Sequence, residues 1–213
     1  MRMFRVSVRP VGLLTVGGSA PASVGPDIVF TSIYGKGGRS LYIPGASFKG
    51  VLRSAASRVA RSYGFSSCGQ VRPDLISRAH GDGLCDVCKL FGSPSRSYLP
   101  VVFFSDLVPA AKAAPWAVTR VHIEDSTLRA LERGLYSAEV VTGVEFVGSV
   151  RYGEDAISLL PLLLLAAAEL RMDRFGRASA VDLKFEDTDE LRSDLASEWH
   201  GLLDELGDWL WTR

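Results

Sequence analysis

Residues 41–63, LYIPGASFKGVLRSAASRVARSY, run extended, turn at Pro44-Gly45 and enter a helix that the Ser47 side-chain oxygen is placed to cap. Phe48, Val51, Leu52, Ala55, Ala56, Val59, Ala60 and Tyr63 recur at i, i+3, i+4 and share one helical face. That face is core. Lys49, Arg53, Arg58 and Arg61 hold the other half of the wheel, with Lys49 and Arg53 one turn apart beside the helix N-terminus. Free N–H groups there favour a phosphate or carboxylate, so two added cations suit an anion site. An ordinary solvated face has the same composition.

The 213 residues are 47% hydrophobic, ample for a core in one large domain or two small ones. The longest apolar run, 157–168, is broken by Ser158 and Pro161 and is too short for a bilayer. The start, MRMFRVSVRP, lacks the apolar stretch of a signal peptide, so a cytoplasmic protein with no membrane partner is expected. Net charge is zero, but its distribution is uneven. Residues 1–65 hold nine Lys or Arg against Asp27 alone, and residues 182–213 hold ten acids against three bases. This fits phosphate on one surface and a neighbouring subunit on another, or pairing between the two ends of the chain.

Residues 2–9 alternate as a half-buried strand, with Phe4, Val6 and Val8 inward. Residues 10–40 are rich in glycine, serine and proline, which suits a long functional loop or an inserted hairpin. Asp27 lies there. A carboxylate can hold a divalent metal or orient a 2′-hydroxyl, and Asp after Gly-Pro is also an ordinary turn residue. Residues 64–98 form a second insertion, which contains every cysteine: Cys68, Cys85 and Cys88. These, with His80 as a fourth ligand, suit a structural zinc ion that would give this segment a local core. A Cys85–Cys88 redox pair or disulfide is the alternative.

Leu99–Ser105 reads as a buried strand, and residues 118–124 alternate with Val121 and Ile123 inward and Arg120, His122 and Glu124 outward. His122 lacks a titrating partner and is not taken as a general base. Glu139–Tyr152 reads as two strands hairpinned at Thr142-Gly143, and 155–173 as an apolar helix with Pro161 at a kink or in the first turn. Residues 180–185 close the sheet. A last helix, 188–211, sets Leu191, Leu195, Trp199, Leu202, Leu206 and Trp209 against its own domain, with Trp209 and Trp211 the alternative as a subunit contact. The order strand, helix, strand, strand, helix, strand predicts an α+β protein. It would be one ferredoxin-like or RRM-like βαββαβ domain over 1–213, with insertions at about 10–40 and 64–98.

Three stretches carry a resemblance. Ile43-Pro44-Gly45-Ala46-Ser47-Phe48-Lys49-Gly50-Val51-Leu52-Arg53 resembles the I-P-G-(S/A)-S-(L/F)-K-G-x-(L/F)-R signature of the RAMP superfamily of CRISPR-associated RNA-binding proteins. The C-x-x-C ahead of Leu90-Phe91-Gly92 is similar to that of family members. So is 120–127 followed by Gly134-Leu135-Tyr136 and Glu139-Val140, although Ser126 replaces the usual Arg. The resemblance implies a ferredoxin-like fold and a repeated backbone subunit of a type III effector complex in antiviral defence. Its partners would be guide RNA, target RNA, other CRISPR subunits and copies of itself. Ser47, Lys49, Arg53 and Arg120 would contact RNA, joined by Arg174 and Arg177, where the family's R-G-(F/Y)-G lacks one glycine. Asp27, in the position of the family's acidic loop residue, would cut target RNA as an endoribonuclease with a divalent ion such as Mg or Mn. Two other readings are a non-catalytic capping subunit and a stand-alone endoribonuclease that processes the CRISPR transcript.

Overall fold

The computed structural model describes residues 1–17, 25–81, 83–94, 98–177 and 179–211. Residues 18–24, part of the expected loop at about 10–40, and residues 82 and 95–97, part of the second insertion, lie outside them. The elements are β1 (Arg2–Pro10), β2 (Ser32–Gly35), β3 (Gly38–Leu41), α1 (Gly45–Val59), α2 (Pro73–Arg78), α3 (Asp86–Phe91), β4 (Val102–Phe104) and β5 (Val108–Pro109). There follow β6 (Trp116–Ile123), β7 (Ala130–Val140), β8 (Phe146–Tyr152), α4 (Leu160–Arg171), β9 (Arg174–Phe175), β10 (Ser179–Glu186), α5 (Asp189–Asp194) and α6 (His200–Gly207).

The main sheet is antiparallel, ordered β4-β8-β1-β10-β9, with β5 also on β8. Strand β1 is central because its alternating Phe4, Val6 and Val8 bury on the face where α1 and α4 pack together. In chain order the core is β1, α1, β4, β8, α4 and β10, the predicted α+β, βαββαβ plan. One hydrophobic cluster runs from Phe4 to Leu206 and takes in Val87, Leu90 and Phe91 of the second insertion. Pro161 sits in the first turn of α4, where its missing N–H costs no hydrogen bond.

Several expectations are corrected. Ser47 does not cap α1: it lies inside the first turn, its N–H bonded to the Pro44 carbonyl at 2.9 Å. The first N–H, at Gly45, is instead accepted by Asp106 Oδ1 at 2.8 Å, a side chain from beyond β4. Tyr63 falls in a 3₁₀ turn after α1 and is exposed. The strand expected at 99–105 is shorter, and Phe103 within it faces out. Val121 and Ile123 do not point into a core, being 47% and 49% exposed. Among the named strands, β6 and β7 pair with each other as a two-stranded ribbon, rooted at the buried Ala138 and Val140, where Ile28 bridges β7 at Ala138. The Thr142-Gly143 turn therefore does not join a hairpin, since β8 pairs with β1 and β4 instead. The last helix is three pieces, α5, a 3₁₀ turn at Ser197–Trp199 and α6, because Leu195 adopts extended backbone.

Candidate functional site

The candidate site residues include two separate groups. The first gathers around the root of β7. Asp27 Oδ2 accepts the Ser137 N–H at 2.6 Å and the Ser137 hydroxyl at 2.9 Å, and these bonds hold the exposed carboxyl below its ordinary range. Two residues on, Glu139 takes a two-pronged ion pair from Arg39, at 2.7 and 2.5 Å, and accepts the Phe30 N–H at 2.8 Å. Arg39 lowers the Glu139 carboxyl and Glu139 raises the guanidinium. Thr15 joins this root by donating to the Glu139 carbonyl. Its own carbonyl accepts the Arg177 N–H at 3.1 Å. Gly176, at φ +61, is needed there: a Cβ would collide with the Thr15 carbonyl oxygen. Its close approach is thus to the chain's own loop. Arg174 and Arg177 are exposed, and Phe175 between them meets Phe48 of α1 with ring centroids 6.4 Å apart.

The second group is the metal cluster. The ligand atoms of Cys68, His80, Cys85 and Cys88 all lie within 4.8 Å of one another. Cys85 precedes α3 and Cys88 lies within it, while Ser66 and Asp86 exchange hydrogen bonds that tie the Cys68 stretch to the start of α3. His80 follows α2 and bonds the Ile76 carbonyl through Nδ1 at 2.7 Å. That assigns the Nδ1 proton and leaves Nε2 free, 3.3 Å from Cys85 Sγ. Cys68 and Cys88 sulfurs are 3.8 Å apart, and all three cysteines are free thiols. Tetrahedral zinc with Zn–S near 2.3 Å sets sulfurs about 3.8 Å apart, so the donor set and spacing fit that ion. Pairing with Cys88 holds the Cys85 thiol well below its ordinary range, helped by His80 and opposed by burial; the same pairing and burial push Cys88 up. The cluster can hold a metal ion and is compatible with zinc.

Beside the cysteine cluster, Lys49, Gly50 and Arg53 of α1 face Phe91–Pro94, Tyr98 and Pro100 across a groove of about 290 Å³. Lys49 has no ion pair among the described residues. Arg53 is turned inward: it donates to the Gly92 carbonyl at 2.5 Å and to Cys88 Sγ at 2.9 Å. Ser47 is half-buried in the first turn, and Arg120 stands half-exposed on the ribbon. The signature glycine Gly45 is demanded by packing, since a Cβ would lie 2.6 Å from both the Phe104 and Ser105 carbonyl oxygens. Gly50 has no such reason, since a methyl group there would meet nothing within 4 Å. Sequence reasoning misses Asp106 and the Arg39–Glu139 pair; Glu139 stands in the family pattern, and neither partner has a local spacing that marks it.

The family model of the RAMP superfamily matches residues 13–211, nearly the whole chain and both groups of residues. The chain belongs to the RAMP superfamily. Membership makes it a CRISPR-associated protein of an RNA-binding family whose members work in complexes with RNA and other subunits. No curated protein matches the chain. In this RAMP chain no helix among the described residues is long and apolar enough to cross a membrane.

Proposed function

We propose that this RAMP protein is a repeated backbone subunit of a type III CRISPR ribonucleoprotein, a single domain in the cytoplasm that holds guide RNA. The observation that carries the reading is Lys49: a cation without an ion pair among the described residues, on the signature helix, beside an open groove floored by Gly50. Arg120, Arg174 and Arg177 add phosphate contacts from the ribbon and the Gly176 loop. Zinc held by Cys68, His80, Cys85 and Cys88 would serve structure, because three thiolates and an imidazole would supply four protein ligands and leave none of a four-coordinate ion's positions for substrate.

Asp27 is the residue for cutting target RNA. Its carboxylate is exposed and held ionised by Ser137, and no other His, Cys, Asp or Glu groups with it as a metal-binding set among the described residues. A divalent ion there, Mg²⁺ or Mn²⁺, would draw its remaining ligands from RNA oxygens and water. The capping alternative leans on a free acidic end. Asp182, Glu186, Asp187, Asp194 and Asp204, five of the ten acids in 182–213, are already paired within the chain.

The test is a complex reconstituted with guide RNA, its copy number read by native mass spectrometry, with Lys49→Ala and Asp27→Ala compared to wild type. Several copies per complex are expected, with guide affinity lowered by Lys49→Ala and target cleavage abolished by Asp27→Ala with assembly intact. A single copy refutes the repeated subunit, and intact cleavage in Asp27→Ala refutes the catalytic assignment.

A further inference from the structure

The basic face of α1 is largely turned toward the second insertion. Arg53 Nη2 donates to Cys88 Sγ at 2.9 Å and Nη1 to the Gly92 carbonyl at 2.5 Å, so one guanidinium spans a cluster thiol and the chain leaving it. Two turns along, Arg61 donates to the Ser67 carbonyl at 3.2 Å, next to Cys68. Helix α1 and the 3₁₀ turn that continues it thus grip both cysteine-bearing stretches. Three thiolates and a neutral imidazole around a divalent cation carry one net negative charge in a half-buried place. A guanidinium bonded to one sulfur offsets it. Among the described residues, Arg53 is the only cation bonded to a ligand atom of the cluster. Gly92 and Ser93, which follow α3 directly, are the wall of the groove that Lys49 and Arg53 line from the other side.

We propose that Arg53 is a positioning residue of the metal centre rather than an RNA contact, and that through it metal binding fixes the groove wall facing Lys49. The inference rests on the metal reading above. Metal and RNA binding are then linked, each strengthening the other by the same factor. Lys49 contacts RNA and leaves the metal untouched; Arg53 holds the metal and acts on RNA only through it.

The experiment uses the full chain as wild type, Lys49→Ala, Arg53→Ala and Arg53→Lys. Zinc affinity is measured by competition with a chromophoric chelator, the thiolate-to-metal absorption band is read after cobalt(II) substitution, and affinity for a single-stranded oligouridylate is measured with and without zinc. Arg53→Ala is expected to lower zinc affinity 10- to 100-fold and shift the cobalt band. Arg53→Lys, which keeps the charge without the fork, should recover part of both and serves if the alanine variant does not fold. Wild type should bind RNA several-fold more weakly without zinc, whereas Lys49→Ala should lose RNA affinity with an unchanged cobalt band. A wild type that takes up no metal overturns the metal reading and this inference with it. Normal loading in wild type, with unchanged zinc affinity and cobalt band in the Arg53 variants, overturns this inference alone. RNA affinity indifferent to zinc in wild type removes the linkage.

Discussion

Arg39 and Glu139 show how much of this site depends on single long-range pairs. The two are 100 residues apart in sequence, yet their fork holds the 27–41 stretch against β7, two residues from the Ser137 that grips Asp27. Both side chains are mostly buried, so removing one leaves the other desolvated and unpaired. Arg39→Ala is expected to lower stability by about 2 kcal/mol at neutral pH, read as a shift in urea midpoint. The pH dependence has a definite sign. Glu139 is held below its ordinary value of 4.5, chiefly by Arg39, so the pair's contribution is complete above that value and fades as pH falls through the lower, folded-state one. The gap between wild type and Arg39→Ala should therefore narrow on acidification below about pH 4.5. A gap that stays constant into acid would show that the fork contributes nothing through ionisation.

Helix α1 separates two uses of glycine that its sequence presents alike. Gly45 meets backbone oxygens of residues 104 and 105, so Gly45→Ala should push α1 off β4 and cost about 2 kcal/mol. Gly50 meets nothing, so Gly50→Ala should stabilise the protein by about 0.5–1 kcal/mol, because an exposed helical glycine carries an entropy cost. If RNA approaches the helix backbone in the groove beside Lys49, the same Gly50→Ala change should weaken RNA binding several-fold. Thermal melts and RNA titration of the two variants check both signs, and a Gly50→Ala protein that is more stable and binds RNA unchanged would place the RNA elsewhere. Helices α1 and α4, strand β1 and the Cys-His set are legible in the sequence because each announces itself by local spacing. Other features are not. The cap on α1 comes from Asp106, 61 residues from Gly45, and no periodicity in the helix encodes it. Alternation in 118–124 identifies a strand but not what covers it, so it assigns Val121 and Ile123 to a core that the β6–β7 ribbon lacks. Arg53 looks like a free cation in the sequence because its partners, Gly92 and Cys88, belong to an insertion whose path only the fold reveals.

Across the whole molecule, the uneven charge along the chain resolves mainly into internal pairs. Arg2, Arg5 and Arg9 of β1 face Asp194, Asp187 and Asp182 at 2.5, 2.6 and 3.4 Å, because β10 lies beside β1 and α5 packs over it. Asp182 is fully buried and also meets Arg171 and the Trp211 N–H, while Trp209 receives Arg9 over its ring at 4.2 Å. Trp209 thus packs on the chain's own sheet, while the exposed Trp211 donates its indole N–H to the Arg171 carbonyl of α4. Arg58 is taken by Glu169 and Asp173, and Arg39 by Glu139. Five of the nine bases in residues 1–65 are therefore in ion pairs, and Arg53 and Arg61 bond carbonyls of the second insertion. Nucleic-acid affinity depends on cations free to displace counterions, not on the formal count. With Lys49, Arg120, Arg174 and Arg177 as the phosphate contacts, the slope of log affinity against log salt on single-stranded RNA should be about −3, at roughly −0.7 per phosphate. Engagement of all nine amino-terminal bases would give about −6 instead. Lys49→Ala should make the slope shallower by about 0.7, and Arg5→Ala should leave it unchanged because Arg5 is held by Asp187. A slope near −6, or an equal effect of both substitutions, would mean that RNA breaks the internal pairs and lies along β1 rather than along the groove of α1.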